Sequence, residues 1–148
     1  MIKVRHVGIT VKDLDRMIDF YGRLLGFKNK KVALESGEYI DNFSDLENVA
    51  VTTAKLSNGN DDVLIELLKY HSHTGEDTKS QIINPGITHF ALTVNDLNEL
   101  YEKAVKEGIE FNAPPQLPPD GKALVTFCRD PEGNLIELVE VLGWQRKY

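Results

Sequence analysis

The tetrapeptide LIEL occurs twice in this chain, at residues 64–67 and at residues 135–138. Each copy follows a second repeated stretch, which reads HVGITVKDL at residues 6–14 and HFALTVNDL at residues 89–97. An apolar strand is not expected to carry a bare carboxylate, because burying an unpaired charge is expensive. The two glutamates therefore point to a shared role, and the paired stretches indicate that the chain is built from two copies of one module.

Five positions are identical in the longer stretches: His6 and His89, Thr10 and Thr93, Val11 and Val94, Asp13 and Asp96, and Leu14 and Leu97. A single histidine on a strand is more often a core or surface residue than a ligand. A glutamate can likewise occur on a strand simply because that face is exposed to solvent. Four such residues at equivalent places in both modules favour a metal site. The predicted ligands are His6, Glu66, His89 and Glu137. Imidazole and carboxylate suit Ni, Co, Zn, Mn or Fe, and four protein ligands leave two octahedral positions open.

The composition is that of an ordinary globular protein, with 41% hydrophobic and 27% charged residues. The net charge of −6 argues against a nucleic-acid partner, which would require a basic surface. No apolar run is long enough to span a bilayer, and the first residues enter a strand pattern rather than a signal peptide. Because Cys128 is the single cysteine, no disulfide framework is expected. We expect a cytoplasmic protein whose partner is a small-molecule substrate, with no nucleic acid and no membrane.

Module one is predicted to span residues 1–70. Residues 3–11 alternate between apolar and small or polar side chains, which predicts a strand with His6 on its polar face. A helix is predicted from an N-cap at Asp13 to a left-handed glycine at Gly26. The next elements are predicted to be strands at residues 27–34, 49–56 and 62–70, a loop at residues 35–48 and a turn at residues 57–60.

A polar linker is predicted at residues 71–86, and module two at residues 87–148 repeats the order of module one. Its helix is predicted to begin with a capping box formed by Asp96 and Glu99 and to end at Gly108. The other elements are predicted to be a strand at residues 89–94, a proline-rich loop at residues 114–119, a strand at residues 123–129, a turn at residues 130–134 and a final strand that carries Glu137.

The distance along the chain from histidine to glutamate differs between the modules. It is 60 residues in module one and 48 residues in module two. The difference fits inside the loop at residues 35–48, which we interpret as an insertion into a common unit. Long loops without secondary structure are more often functional or disordered than incidental.

Other candidate residues are weaker. His71 and His73 lie in the polar linker, where a solvated loop is the simpler explanation. Cys128 neighbours Arg129, which could lower the pKa of the thiol, but a structural thiol on a strand explains it better. Two aromatic residues are expected to pack the C-terminal tail or a subunit interface: Trp144 and Tyr148.

The repeated stretches resemble the vicinal-oxygen-chelate superfamily, which includes glyoxalase I, methylmalonyl-CoA epimerase, extradiol dioxygenases and the fosfomycin and bleomycin resistance proteins. The resemblance covers almost the whole chain, and its most specific parts are HVGITVKDLDRMIDFYGRLLGF, GITHFALTV and RDPEGNLIEL. It implies an α+β fold in which two tandem βαβββ modules form a curled mixed sheet around a metal site. Residues 1–148 are then expected to form a single vicinal-oxygen-chelate domain. A homodimer is expected because open sheet edges need cover.

The family's ligand positions match His6, Glu66, His89 and Glu137, and the complete His-Glu-His-Glu set resembles that of glyoxalase I. The epimerases are similar but often have glutamine at the position of Glu66. Extradiol dioxygenases use two histidines and one glutamate, whereas bleomycin resistance proteins lack the metal set. In two respects the chain departs from bacterial glyoxalase I. That enzyme has an arginine that helps to hold glutathione at the position of Thr10, and it has an asparagine at the position of Tyr70.

The resemblance implies a divalent-metal-dependent lyase or isomerase of the glyoxalase I or epimerase type, with one divalent metal per site. Such an enzyme removes a proton next to a carbonyl of a small substrate with vicinal oxygens. Glu137 is the first candidate for the base, because the family's glyoxalase loosens this carboxylate from the metal, and Glu66 is the second. Lys122 and Arg129 could bind an anionic substrate, although exposed solubilising charges explain them more simply. Two alternatives stay open: an extradiol-type ring-cleaving dioxygenase, and a non-catalytic small-molecule-binding resistance protein.

Overall fold

The computed structural model describes residues 1–59, 62–77 and 81–143 of the chain. The chain divides into two compact units, Met1–Thr78 and Lys79–Tyr148, and the boundary falls inside the predicted linker. Within the described residues, no helix is long and apolar enough to cross a membrane. The end of the predicted turn at residues 57–60, together with Trp144 and Tyr148, lies outside the described residues.

The first unit contains a four-stranded mixed sheet. Its elements are β1 (Val7–Thr10), α1 (Leu14–Asp19), a π-helical segment (Phe20–Leu24), β2 (Lys28–Ser36), α2 (Glu38–Ser44), β3 (Ala50–Ser57) and β4 (Val63–Tyr70). The strand order is β1-β4-β3-β2, in which β1 runs parallel to β4 and the other neighbours are antiparallel. The first LIEL stretch therefore lies in an interior strand, next to the strand that follows His6.

The second unit contains a three-stranded mixed sheet with the same arrangement. Its elements are β5 (His89–Thr93), α3 (Leu97–Lys106), β6 (Ala123–Arg129) and β7 (Leu135–Val141). The strand order is β5-β7-β6, with β5 parallel and β6 antiparallel to β7. The second LIEL stretch again lies in the interior strand. The predicted α+β class with mixed sheets is confirmed.

One detail of the predicted βαβββ order differs in the second unit. Where module one has β2, the described part of module two has only two isolated β-bridges, Phe111 to Cys128 and Gln116 to Val125. The segment between the bridges contains Pro114 and Pro115. Proline cannot donate a hydrogen bond to a ladder, so a continuous strand does not form there.

The two helices that the sequence predicts, α1 and α3, begin at the predicted capping aspartates. The Asp13 carboxylate accepts a hydrogen bond from the backbone N–H of Arg16 at 3.1 Å, and Asp96 accepts one from the N–H of Glu99 at 2.9 Å. Gly26 and Gly108 follow the helices with φ of 77° and 81°, values that favour glycine. The capping aspartates and the glycines set where each helix begins and ends. The chain therefore returns to its sheet at equivalent positions in the two units.

The two faces of each central strand differ in burial. On β4, which α1 contacts, Ile65 and Leu67 are buried on one face. Glu66 alternates with them and points to the opposite face, where it is half-buried. On β7, Ile136 and Leu138 are buried in the same way on either side of Glu137. Each apolar strand thus buries one face under a helix and presents a glutamate on the other.

The prediction that residues 35–48 form a loop is wrong. Strand β2 extends to Ser36, and α2 follows after Gly37, whose φ is 111°. Ile40 is buried against the sheet, whereas Tyr39 and Phe43 are 57% and 71% exposed and lie against one another. A seven-residue helix with a single buried apolar residue has no amphipathic stripe, so the sequence pattern gave no helical signal.

Candidate metal-binding site

In the first unit, His6 and Glu66 lie together on the polar face of the sheet. Glu66 pairs in register with Gly8 of β1, and His6 lies two residues before Gly8, directly before the strand begins. The imidazole Nε2 of His6 is 3.0 Å from Oε2 of Glu66, and 35% of the His6 side chain and 16% of the Glu66 side chain are exposed. Two potential ligand atoms therefore meet on a face that a substrate can reach.

The second unit repeats this arrangement on β5 and β7. Glu137 pairs in register with Ala91, again two residues after the histidine. Nε2 of His89 is 3.5 Å from Oε2 of Glu137, and the exposed fractions of these side chains are 33% and 27%. The predicted equivalence of the two His–Glu pairs is therefore present in the strand register of each unit.

The chemistry and spacing of these atoms fit a divalent metal. Adjacent ligands of an octahedral ion are about 3.0 Å apart when the bonds are about 2.1 Å long. The separation in the first unit equals this value, and that in the second exceeds it by half an ångström. A separation of 3.0 Å also suits a hydrogen bond between an imidazole N–H and a carboxylate oxygen. Within the described residues, no group of three or more His, Cys, Asp or Glu side chains could hold a metal. The four-ligand site stays a prediction.

The residues beside the two glutamates are not equivalent. On β3 the register partner of Glu66 is Lys55, whereas on β6 the register partner of Glu137 is Phe127. The Phe127 ring packs edge-on against the imidazole of His89, with 5.1 Å between ring centroids and 75° between planes. This contact holds the His89 ring in place. The second His–Glu pair therefore has an apolar neighbour, Phe127, whereas the first has a cation, Lys55.

Helix α2 lies on the same face of the first sheet as Glu66. Its buried Ile40 forms a cluster with Val49 and Val51, and Tyr70 packs against this cluster. Tyr70 is on the face of β4 that carries Glu66 and is the register partner of Val51. The insertion therefore covers one end of the face on which the first His–Glu pair lies.

The weaker histidine candidates belong to a local network. Nε2 of His71 is 2.7 Å from the hydroxyl oxygen of Thr52, and Nδ1 of His73 is 2.7 Å from that of Ser72. The first contact joins the end of β4 to β3, the second is between adjacent residues, and both involve hydroxyl groups rather than carboxylates or thiolates. They explain the two histidines without a metal.

Cys128 is structural. The thiol is buried, and burial, reinforced by the charge of Asp130, raises its pKa to about 12. It is therefore protonated at neutral pH and is not a nucleophile. Arg129 does not activate it, because this guanidinium donates a hydrogen bond to the carbonyl oxygen of Gly133 at 2.9 Å. Lys122 is exposed, in keeping with a solubilising role.

Sequence reasoning missed Lys55, which the strand register places next to Glu66. A signal was present in the sequence, because Lys55 is the single charged residue of the strand at residues 50–57. A charge in an otherwise uncharged strand next to buried positions needs a reason, but only the pairing of β3 with β4 reveals its neighbour.

The architecture and the duplicated His–Glu pairs can be compared with known proteins. The family model of the Glyoxalase/Bleomycin resistance protein/Dioxygenase superfamily matches residues 3–138. The chain belongs to this superfamily. Members of the glyoxalase superfamily use divalent metals, which is in keeping with the ligand chemistry of the two pairs.

Curated relatives in the superfamily include proteins named lactoylglutathione lyase. A probable lactoylglutathione lyase of Synechocystis sp. is 29% identical, and the match covers 91% of this chain and 92% of that protein. Lactoylglutathione lyase of Escherichia coli is 27% identical, with 94% and 93% covered. A probable chloroplastic lactoylglutathione lyase of Arabidopsis thaliana is 29% identical, with 93% of this chain but 35% of the relative covered. The chain therefore spans less than half the length of the plant relatives that it matches.

Solved structures share the fold. A glyoxalase family protein from Bacillus cereus has a TM-score of 0.86 at 23% identity, with 97% of this chain and 96% of that chain covered. The trypanothione-dependent glyoxalase I of Leishmania major has a TM-score of 0.69 at 25% identity, with 95% and 87% covered. These likenesses support the superfamily assignment at the level of the fold.

Proposed function

We propose that this protein is a divalent-metal-dependent lyase or isomerase that removes a proton from the carbon next to a carbonyl of a small substrate. The observation that supports it is the duplicated His–Glu pair, with the same register relation in both units and donor atoms 3.0 and 3.5 Å apart. The superfamily and the names of the relatives support the same class of reaction.

The proposed site combines one His–Glu pair from each kind of module, taken either from one chain or from two chains of a homodimer. His6 and His89 would hold one Ni, Co, Zn, Mn or Fe ion per site through Nε2, and Glu66 and Glu137 would hold it through a carboxylate oxygen. When bound, the ion would polarise a substrate carbonyl and acidify the adjacent C–H bond.

We assign the role of base to Glu137 rather than Glu66. Its carboxylate oxygen is farther from its histidine, at 3.5 Å rather than 3.0 Å, and its side chain is more exposed, at 27% rather than 16%. A carboxylate that lies farther from its histidine and is more open to substrate is better placed to take a carbon-bound proton on Oε2. Glu66 is the second candidate.

The glutathione adduct of methylglyoxal is expected to be a poor substrate. Thr10 and Tyr70 stand where glutathione-using bacterial relatives of this type have arginine and asparagine, and Tyr70 packs against the cluster under α2. The measurement is kcat/KM for the adduct with the metal-loaded protein. A value near ~10⁷ M⁻¹s⁻¹, typical of efficient enzymes, would contradict this expectation.

Proton exchange with solvent tests the proposed reaction. The protein, loaded with Zn, Ni or Co, is incubated in D₂O with 2-oxo acids, 2-hydroxyketones or acyl-CoA thioesters, and exchange of the carbon-bound proton is followed by NMR. We expect exchange with one substrate class. Turnover that requires Fe(II) and consumes oxygen would support a ring-cleaving dioxygenase instead, and ligand binding without exchange or turnover would support a non-catalytic binding protein.

A further inference from the structure

A row of four residues crosses the polar face of the first sheet at the level of Glu66. The strand register aligns Gly8 on β1, Glu66 on β4, Lys55 on β3 and Lys31 on β2. Residues directly opposite one another in neighbouring antiparallel strands have Cβ atoms about 5 Å apart and share one face. The two lysines therefore lie side by side, next to one carboxylate of the proposed site.

Two lysines in this position require an explanation. Like charges directly opposite one another destabilise a sheet, and Lys55 is half-buried, so solvent screens it less than a surface charge. The chain as a whole is acidic, with a net charge of −6, so the pair does not reflect a general excess of lysine.

Glu66 does not account for the pair. Its carboxylate Oε2 lies 3.0 Å from Nε2 of His6, and within the described residues no ion pair joins it to Lys55. The equivalent place in the second unit is occupied by Phe127, next to Glu137, so a lysine is not needed to support this kind of glutamate. The first unit therefore carries two lysines that the shared architecture does not require.

We propose that Lys55, with Lys31 beside it, binds an anionic group of the substrate, a carboxylate or a phosphate attached near the oxygens that chelate the metal. This inference rests on the proposed function and narrows its substrate class. Binding an anion removes the repulsion between the two ammonium groups and supplies charge-assisted hydrogen bonds. An anionic oxo acid is then favoured over a neutral hydroxyketone as the substrate.

Hydroxamates provide a test that does not depend on turnover, because they chelate metals through two adjacent oxygens. The Ni- or Zn-loaded protein is titrated calorimetrically with butyrohydroxamate, with the monohydroxamate of succinic acid and with a hydroxamate that carries a phosphonate. We expect one of the anionic compounds to bind at least about tenfold more tightly than butyrohydroxamate, the effect of one charge-assisted hydrogen bond. The better of the two identifies the anion as carboxylate or phosphate.

Substitutions at Lys55 test whether this residue causes the preference for anionic hydroxamates. Lys55→Met preserves the length of the side chain and should abolish the preference, whereas Lys55→Arg should retain it. Lys69→Met is the matched control, because Lys69 is a half-buried lysine on the opposite face of β4 and should not affect the preference.

The outcomes separate this inference from the proposed function. If all three hydroxamates bind equally to the unsubstituted protein, or if Lys55→Met keeps the preference, Lys55 does not bind the anion, while metal chelation still stands. If none of the compounds binds the metal-loaded protein, the chelating site itself is wrong, and the role of Lys55 fails with it.

Discussion

The two His–Glu pairs have the same strand register but different surroundings. The first pair is closer, at 3.0 Å, with the less exposed glutamate, and it lies beside Lys55 and near the cover formed by α2. The second pair is more open, at 3.5 Å, with an aromatic ring against its histidine. The shared register keeps the histidine and glutamate positions alike, whereas their neighbours differ, and our proposal assigns metal anchoring to the first pair and proton transfer to the second.

The largest expected difference between the pairs concerns catalysis. Glu137→Gln should lower the rate of proton exchange by about 10²- to 10⁴-fold, the usual contribution of a general base, because an amide can bind a metal but cannot accept the proton. Glu66→Gln should lower it by about tenfold or less, because in our proposal Glu66 holds the metal and does not take the proton. The measurement is the NMR exchange rate of each variant at saturating metal. A larger loss in Glu66→Gln would reverse the assignment of the two carboxylates.

The histidines of the two His–Glu pairs should contribute similarly to the affinity for the metal. His6→Ala and His89→Ala should each weaken binding of about one divalent ion per site by at least ~100-fold, more than the loss of a residue that only orients a ligand. The dissociation constants are measured by competition with a chelating dye. His71→Ala and His73→Ala are matched controls that should bind as the unsubstituted protein does. Stoichiometric binding that survives the loss of both His6 and His89 would exclude the proposed site.

Helix α2, which lies in the segment interpreted as an insertion, should contribute to the free energy of unfolding. Ile40→Ala should lower the free energy of unfolding by about 2 kcal/mol, since it leaves a cavity against Val49 and Val51. Urea unfolding measures this change. Phe43→Ala is the control on the same helix, and because its side chain is 71% exposed we expect a loss below about 1 kcal/mol. Equal losses in the two variants would mean that α2 is not held to the sheet through Ile40.

The smallest effect concerns the helix caps, for which the modules should again be equivalent. Asp13→Ala and Asp96→Ala should each lower the free energy of unfolding by about 1 kcal/mol, because each removes the acceptor for one N–H of the first helical turn. Asp13→Asn and Asp96→Asn should restore most of the loss, because asparagine caps as well as aspartate. Urea unfolding of the four variants would reveal whether one helix start carries more stability than the other.

Much of the fold was predictable because it depends on local chemistry. The capping aspartates and the glycines that end each helix are local signals, and the structure confirms them. The strand predicted at residues 3–11 forms only over Val7–Thr10, directly after His6. Helix α2 was not predictable, because its seven residues bury only Ile40 and begin after a glycine instead of a capping side chain. The isolated bridges at Phe111 and Gln116 were missed because proline loops give no strand pattern.

The sequence alone determined the duplication and the superfamily resemblance, and it predicted the types of ligand, since repeated residues reveal equivalent places without any coordinates. Only the tertiary structure decided which residues are neighbours across the strands. The register of β3 with β4 brings Lys55 beside Glu66, and that of β6 with β7 brings Phe127 beside Glu137. Because cross-strand pairing is set by hydrogen bonds between distant segments, no local pattern contains it. The difference between the two pairs therefore became visible only in the folded chain.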